Sequence, residues 1–280
     1  MKKVMVLGAG TMGSGIAQVV AQAGYEVIMR DTEMRFVEKG LATIKKNLSK
    51  LVEKGKLTAE AQVDIEKRLK GCVNLEEAQD VDLVVEAIIE NLELKEKVYR
   101  ELDSIIQPNA ILASNTSSLS ITALGAATKR PGKVIGMHFF NPVPVMQLVE
   151  IIKGAGTTDD TFEQAFMFAE KIGKTPIKIE EAPGFAVNRI LVPMINEATY
   201  LLSEGVTSAA DIDTAMKLGA NHPIGPLALA DMIGLDVCLA VMEVLYNEFS
   251  DSKYRPSPIL RKMVRAGFLG RKTGRGFFSY

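Results

Sequence analysis

Short apolar runs alternate with longer segments of helical period along the chain up to residue 180. Residues 2–7 and 25–30 have the composition of buried strands, and between them lie a glycine turn at 8–13 and a helical stretch at 14–23 that Gly24 ends. This order predicts a βαβ unit with a right-handed crossover and parallel strands. Further strand candidates follow at 81–87, 110–114, 134–137, 148–152 and 175–179. We therefore predict a Rossmann-type, doubly wound and mostly parallel α/β domain.

Two stretches depart from this alternation. Residues 33–70 carry apolar side chains at helical spacing, interrupted by Gly55, which predicts an inserted hairpin of two antiparallel helices. Towards the C terminus the long apolar segments have helical period and length, which predicts an all-α domain; they are 186–204, 209–218, 226–248 and 258–266. A turn with proline and glycine at 182–184 predicts the boundary between a dinucleotide-binding domain, 1–183, and a helical domain, 184–280.

Composition and charge argue against several classes of function. The 280 residues include 33 basic and 34 acidic side chains, so no overall field attracts nucleic acid or an anionic membrane. No apolar run reaches the roughly 20 residues that a membrane span needs, and we expect a cytoplasmic protein. The two cysteines, Cys72 and Cys238, are far apart and lack clustered histidines. We therefore expect no disulfide framework and no metal site.

A glycine-rich turn is the first feature that points to a ligand. Gly8, Gly10 and Gly13 form the pattern GxGxxG in GAGTMG, a turn that Thr11 and Met12 complete. The pattern alone is weak, but here it follows a predicted strand and opens a predicted helix. The glycines permit a tight turn, close backbone approach to a pyrophosphate and close helix packing, and the helix dipole favours the anion. The turn therefore predicts a dinucleotide site.

The choice of dinucleotide depends on Asp31, which ends the second predicted strand 18 residues after Gly13. Its carboxylate is suited to accept hydrogen bonds from both ribose hydroxyls and repels a 2′-phosphate, which favours NAD. Arg30 and Arg35 are close enough in sequence to offset that repulsion if their side chains turn inward. NADP therefore stays an alternative.

Four further motifs occur in order along the chain. They are SNTSSL at 114–119, HFFNPVP at 138–144, Glu150 in LVEII and PGFAVNR at 183–189. Together with the glycine turn they resemble the L-3-hydroxyacyl-CoA dehydrogenase family, and within it the bacterial 3-hydroxybutyryl-CoA dehydrogenases. The resemblance extends from end to end, including the terminal GRKTGRGFFSY. It implies an oxidoreductase that moves a hydride between a nicotinamide dinucleotide and C3 of a 3-hydroxyacyl thioester.

The resemblance also implies roles for four residues. His138 is the general base or acid, Glu150 orients it, and Ser117 and Asn188 hydrogen-bond the reacting oxygen. An imidazole with an ordinary pKa near 6.5 suits a proton transfer near neutral pH. Glu150 lies in an apolar strand, where an unpaired carboxylate is costly, so we expect His138 as its partner. Structural alternatives are that Asn188 caps a helix and that Ser117 begins one.

The remaining cofactor residues follow other predicted strands. Glu90 and Lys95, just past the strand that ends at Ala87, match family positions on the nicotinamide side of the cofactor. Asn115 and Asn141 lie in loops at the carboxyl ends of strands, where ligands of such sheets collect. We therefore expect residues from several strand ends at the cofactor site: Ala87, Glu90, Lys95, Asn115, Ser117 and Asn141.

Coenzyme A carries a 3′-phosphate and a diphosphate, so a protein without net positive charge needs cations close to the acyl site. The helical hairpin offers Ser49, Lys50, Lys54 and Lys56, and family members use this hairpin to contact the carrier. An ordinary solvated lysine face is the alternative interpretation.

The C-terminal segment 226–245 has few polar positions and needs more burial than one helical stripe provides. The resemblance agrees, since family members pair through this domain, and we expect a homodimer. A four-carbon acyl-CoA is the expected substrate, because no hydratase domain is fused to the chain. The physiological direction, butyrate-type fermentation or fatty acid breakdown, is left open.

Two other classes of protein share part of this pattern. A dehydrogenase of the 6-phosphogluconate type has the same domain order but relies on a lysine where this chain has Asn188, and it gives the pair of His138 and Glu150 no role. A non-catalytic, crystallin-like relative is the second alternative.

Overall fold

The computed structural model describes all residues from Met1 to Tyr280. The chain divides into two compact units, Met1–Ala182 and Pro183–Tyr280. None of the helices combines the length and the apolarity that crossing a bilayer requires.

The N-terminal unit is built on one sheet of eight strands in the order β3-β2-β1-β4-β5-β6-β7-β8. The strands are β1 (Lys3–Leu7), β2 (Glu26–Arg30), β3 (Leu69–Cys72), β4 (Leu83–Glu86), β5 (Ile111–Ser114), β6 (Val134–Phe139), β7 (Leu148–Lys153) and β8 (Thr175–Glu180). Only the β6–β7 pair is antiparallel. The prediction of a mostly parallel Rossmann-type sheet is confirmed, and the carboxyl ends of β1, β4, β5 and β6 share one edge.

Six helices accompany this sheet. They are α1 (Thr11–Gln22), α2 (Met34–Glu53), α3 (Ala59–Lys67), α4 (Leu92–Ile105), α5 (Ile121–Ala126) and α6 (Asp159–Lys171). Several begin at a residue whose side chain accepts a hydrogen bond from the first turn: Thr58, Asn91, Ser120 and Thr158. Gly24, with φ of +95°, follows the end of α1 as expected. These local signals explain why most helix boundaries agree with the sequence pattern.

Strand β3 is a correction to the predicted helical hairpin, which extended to residue 70. Helix α3 ends at Lys67, and Leu69–Cys72 pairs in parallel with β2. The four residues LKGC include a lysine and a glycine and show too little apolar alternation to indicate a strand. The glycine is required by packing, because a Cβ on Gly71 would lie 2.5 Å from Cγ1 of Val37. Pairing with β2, a non-local contact, makes this segment a strand.

The C-terminal unit is helical, as predicted. Its helices are α7 (Val187–Ser203), α8 (Ala209–Gly219), α9 (Pro226–Ile233), α10 (Leu235–Phe249) and α11 (Pro258–Arg265). The sequence pattern predicts one long segment at 226–248, but Gly234, with φ of +107°, separates α9 from α10. A non-glycine residue rarely adopts that backbone conformation, and glycine therefore permits the break.

Two buried carboxylates hold the C-terminal unit together. Asp213 accepts hydrogen bonds from the first amides of α9, and Asp231 accepts from the amides of Phe277 (2.9 Å) and Phe278 (2.9 Å). Both aspartates are buried. Around them α10 contributes to a hydrophobic core that includes Cys238. Burial raises the pKa of the Cys238 thiol to about 12. That thiol is therefore a packing group and not a reactive one.

Candidate active site

The glycine turn has the geometry that a dinucleotide requires. A Cβ on Gly8, whose φ is +96°, would lie 2.5 Å from the carbonyl oxygen of Ala87, and a Cβ on Gly13 would lie 1.8 Å from the carbonyl oxygen of Gly8. Around Gly10, in contrast, no atom lies within 4 Å of the Cβ position. Gly8 and Gly13 thus allow the turn to pack against the sheet and on itself. Gly10 leaves the open side of the turn accessible to a ligand.

Asp31 lies beside this turn with its carboxylate held by backbone amides. One oxygen accepts from Ala9 N at 2.8 Å, and the other accepts from Thr32 N at 2.7 Å. The nearby arginines are engaged elsewhere, because Arg30 Nε donates to the Val73 carbonyl at 2.8 Å. Arg35 pairs with Glu33 at 2.9 Å. Neither arginine therefore contacts Asp31 to compensate its negative charge.

A cavity of about 330 Å³ opens next to the turn. Its walls are the start of α1, one face of α2 and the loop after β6. The residues are Ala9, Gly10, Thr11, Ser14, Gly15, Asp31, Phe36, Lys39, Thr43, Asn47, Asn141, Pro142, Val143 and Pro144. The glycine turn, the carboxylate of Asp31 and this space together fit the pyrophosphate and the adjoining ribose of a dinucleotide. Met12, by comparison, packs against the hydrophobic core.

The wall formed by α2 was missed in the sequence analysis. Phe36, Lys39, Thr43 and Asn47 are spaced three or four residues apart and therefore share one face of the helix. That spacing is visible in the sequence, but its mixed composition does not separate it from an ordinary exposed face. Only the packing of α2 next to α1 shows that it lines a cavity.

His138 and Glu150 meet in the antiparallel β6–β7 pair, where they are directly opposite. The Nδ1 atom of His138 lies 2.7 Å from Oε2 of Glu150. The side chain of His138 is 8% exposed and that of Glu150 is 0% exposed. In addition, the ring of Phe140 lies against the imidazole, with 4.5 Å between the centroids. A buried carboxylate on Nδ1 favours the tautomer with its proton on that nitrogen and stabilises an imidazolium.

Ser117 lies in the loop between β5 and α5 and does not begin a helix, since α5 starts at Ile121. Its backbone amide donates to Oε1 of Glu90 at 2.9 Å, and its hydroxyl donates to the same oxygen at 3.3 Å. The other oxygen of Glu90 lies 3.2 Å from Nζ of Lys95. Ser117, assigned to the reacting oxygen, therefore forms one cluster with Glu90 and Lys95, assigned to the cofactor.

The two asparagines follow β5 and β6. Asn115 Oδ1 accepts a hydrogen bond from the amide of Phe139 at 2.9 Å, which ties the ends of the two strands together. Asn141 lines the cavity at the start of a loop with a cis peptide bond before Pro142. Both asparagines therefore lie at the carboxyl edge of the sheet, as the strand order requires.

A buried lysine, Lys174, donates hydrogen bonds to the loop that begins at Asn141. Nζ of Lys174 donates to the carbonyl oxygens of Val143 at 2.5 Å and Met146 at 2.9 Å. Burial lowers the pKa of Lys174. A Cβ on Gly15 would lie 2.9 Å from the side chain of Val143, so the loop also rests on α1. The wall of the cavity thus has a defined position.

The predicted carrier residues lie on the hairpin without lining the cavity. Lys50, Lys54 and Lys56 are exposed, and Ser49 Oγ accepts a hydrogen bond from Gln62 of α3 at 3.0 Å. Asn188, in the C-terminal unit, is the second residue of α7. The N-cap position belongs to Ala186, so the capping interpretation of Asn188 does not apply.

Comparison with known proteins places both units in one family. Residues 3–182 match the family model described as 3-hydroxyacyl-CoA dehydrogenase, NAD binding domain, and residues 184–280 match 3-hydroxyacyl-CoA dehydrogenase, C-terminal domain. A probable 3-hydroxybutyryl-CoA dehydrogenase of Deinococcus radiodurans is 54% identical over 99% of this chain and 100% of its own. A 3-hydroxybutyryl-CoA dehydrogenase of Clostridioides difficile is 52% identical over 99% of both chains.

A solved structure agrees. The (S)-3-hydroxybutyryl-CoA dehydrogenase of Ralstonia eutropha is 53% identical with a TM-score of 0.97, covering 100% of this chain and 99% of the other. The chain belongs to the 3-hydroxyacyl-CoA dehydrogenase family. It is an oxidoreductase with an NAD-binding domain, which confirms the resemblance and the NAD expectation. Membership in this family decides against the 6-phosphogluconate type.

We expect Gly10→Ala and Gly13→Ala to differ in their effects on thermal stability and NADH affinity. Gly10→Ala leaves the thermal midpoint unchanged, because its Cβ meets no protein atom, but it weakens NADH binding by at least about tenfold. Gly13→Ala lowers both the midpoint and the affinity, because its Cβ collides with the Gly8 carbonyl. NADH fluorescence titration and thermal unfolding measure the two quantities. Unchanged NADH affinity in Gly10→Ala would show that the pyrophosphate binds elsewhere.

Proposed function

We propose that this protein catalyses the reversible reduction of acetoacetyl-CoA to (S)-3-hydroxybutyryl-CoA with NADH, in butyrate-type or butanol-type fermentation or in fatty acid metabolism. The observation that carries the proposal is the buried His138–Glu150 pair. His138 lies in β6, and the carboxyl end of β6 shares the sheet edge with the glycine turn. Relatives that are 52% and 54% identical carry this activity in their names.

In this reaction the protein side chains transfer the proton. The bound cofactor supplies or accepts the hydride at C3. In oxidation, the hydroxyl proton of the substrate passes to Nε2 of His138, because Glu150 keeps the other ring nitrogen protonated. The imidazolium that forms is stabilised by the buried carboxylate. In reduction, the same imidazolium donates its proton to the forming alkoxide.

Ser117 and Asn188 are proposed to hydrogen-bond the reacting oxygen. Hydride transfer needs no covalent intermediate, and Ser117 is therefore a hydrogen-bonding group and not a nucleophile. The contact of its amide with Glu90 at 2.9 Å supports this role, because it defines the position of the residue. The hydroxyl has a longer contact with the same oxygen, at 3.3 Å, and its one proton turns to the reacting oxygen when the substrate binds. For Asn188 the support is its place in the PGFAVNR motif.

The preference for NAD over NADP rests on Asp31. The contacts of Arg30 and Arg35 are with Val73 and Glu33, so no arginine contact offsets its charge. A 2′-phosphate beside this carboxylate is repelled, whereas two ribose hydroxyls can donate to it.

The remaining assignments concern the carrier, the assembly and the compartment. The phosphates of coenzyme A are proposed to pair with Lys50, Lys54 and Lys56, which are exposed on the hairpin. Ser49 is proposed to contact the carrier beside them.

Residues 184–280 are proposed to form a homodimer and to contribute to substrate binding, supported by exposed apolar side chains such as Leu218 and Ile190. The proposed compartment is the cytoplasm.

The central test is a spectrophotometric assay of acetoacetyl-CoA reduction with NADH. We expect His138→Ala to lower kcat by about 10³-fold, because general acid catalysis is lost. Glu150→Gln, which keeps the shape but removes the charge, is expected to lower kcat by at least about tenfold. The matched control is His222→Ala, at the other of the two histidines, with unchanged kcat. An inactive wild-type protein would reject the function, and an active His138→Ala protein would reject the assigned acid.

Cofactor choice is tested by the ratio of kcat/KM for NADH to that for NADPH. The wild-type protein is expected to prefer NADH, and Asp31→Asn is expected to reduce that preference by about tenfold, because the repulsion of a 2′-phosphate disappears. Arg35→Ala is the control with an unchanged ratio, since Arg35 pairs with Glu33. An equal ratio in wild type and Asp31→Asn would remove Asp31 from the cofactor site.

Sedimentation tests the assembly. We expect a dimer at micromolar concentration, and substitution of Leu218, which is 83% exposed, by aspartate is expected to shift the equilibrium towards monomer. Lys217→Glu, a charge change beside it, is the control. A wild-type protein that sediments only as monomer would contradict the proposal.

A further inference from the structure

A fully buried carboxylate lies behind the site at the end of β4. Glu86 is 0% exposed and accepts three hydrogen bonds, from Nζ of Lys95 at 2.6 Å, from Oγ of Ser114 at 2.7 Å and from the amide of Ile88 at 2.7 Å. A buried charge is costly unless it is paired and hydrogen-bonded, and Glu86 meets both conditions. None of the roles assigned so far uses it.

The ammonium group of Lys95 lies between two carboxylates. Lys95 is 1% exposed, and its Nζ contacts Glu90 Oε2 at 3.2 Å in addition to Glu86. Two negative charges thus share one positive charge. Glu90 therefore retains part of its negative charge, which attracts further hydrogen-bond donors.

Those donors come from the loop after β5. Oε1 of Glu90 accepts from the amide and hydroxyl of Ser117 and from the hydroxyl of Thr116. A continuous series of polar contacts therefore runs from Glu86 through Lys95 and Glu90 to Ser117. Glu86 itself is enclosed by protein and does not line the cavity.

We propose that Glu86 is a positioning residue for the reaction. Because Lys95 is shared with the charge of Glu86, it neutralises Glu90 only in part, and the remaining charge on Glu90 fixes the position of Ser117 through a hydrogen bond. The inference rests on the proposed function, in which Ser117 hydrogen-bonds the reacting oxygen. When Glu86 is neutral, Lys95 pairs with Glu90 alone. The hydrogen bond from the Ser117 amide to Glu90 then weakens, and the hydroxyl that is proposed to bind the reacting oxygen loses its defined position.

A double-mutant cycle on kcat tests this coupling. Glu86→Gln preserves shape and removes charge, and we expect it to lower kcat of acetoacetyl-CoA reduction about 30-fold in the wild-type background. In the Ser117→Ala background we expect less than about a threefold effect, because the group through which Glu86 acts is absent. Asp82→Asn is the matched control, a carboxylate-to-amide change at the residue just before β4, where Asp82 accepts from the amides of Lys2 and Lys3. It is expected to leave kcat unchanged in both backgrounds.

A second measurement does not depend on turnover. Amide hydrogen exchange of residues 114–119 is expected to be at least about threefold faster in Glu86→Gln than in wild type or Asp82→Asn, because the Ser117 amide donates to Glu90. If Glu86→Gln does not fold, Glu86→Asp, whose shorter side chain moves the charge away from Lys95, is used in the same cycle, and a loss of kcat is again expected only in the background that contains Ser117.

The outcomes separate this inference from the proposed function. Equal kcat factors in the two backgrounds, or unchanged exchange at 114–119, would overturn the role of Glu86 while the dehydrogenase activity stands. A wild-type protein that does not reduce acetoacetyl-CoA, or a fully active Ser117→Ala protein, would overturn the proposed activity or the role of Ser117, and the role of Glu86 with it.

Discussion

The site depends on one contact, the buried hydrogen bond between His138 and Glu150. A carboxylate that is 0% exposed in the middle of an apolar strand is stable only if a partner accompanies it. The antiparallel register of β6 and β7 places the imidazole directly opposite, so the partner comes from the neighbouring strand and not from a flexible loop. The only antiparallel pair in an otherwise parallel sheet is therefore the pair that holds the proposed acid–base group.

Other contacts connect the strand ends to one another along the same edge. Gly8 packs against the backbone of Ala87, and the side-chain oxygen of Asn115 accepts a hydrogen bond from the amide of Phe139. The Glu86–Lys95–Glu90 cluster adds a charged link between β4, α4 and the loop that carries Ser117. Because each strand end is tied to the next, the groups proposed for the cofactor and for the proton lie on a common rigid support.

Much of the architecture could be predicted because its signals are local. Apolar runs and the glycine turn indicated seven of the eight strands, and helical period indicated most helices. The cost of burying Glu150 in an apolar strand predicted a partner for it, and the family resemblance indicated that the partner is His138. Strand β3 and the break at Gly234 could not be predicted in this way, because LKGC has no clear period and a single glycine does not show whether a helix continues.

The sequence by itself determined the class of fold and the dinucleotide turn, since these depend on residue type and short spacing. It also indicated the residues proposed for acid–base chemistry, through the resemblance of several ordered motifs to one family. Tertiary structure alone decided that α2 lines a cavity, that Arg30 donates to Val73 and not to Asp31, and that Glu86 contacts Lys95 behind Ser117. Contacts of this kind join residues on different elements. They depend on how helices and strands pack, which the pattern along one element does not record.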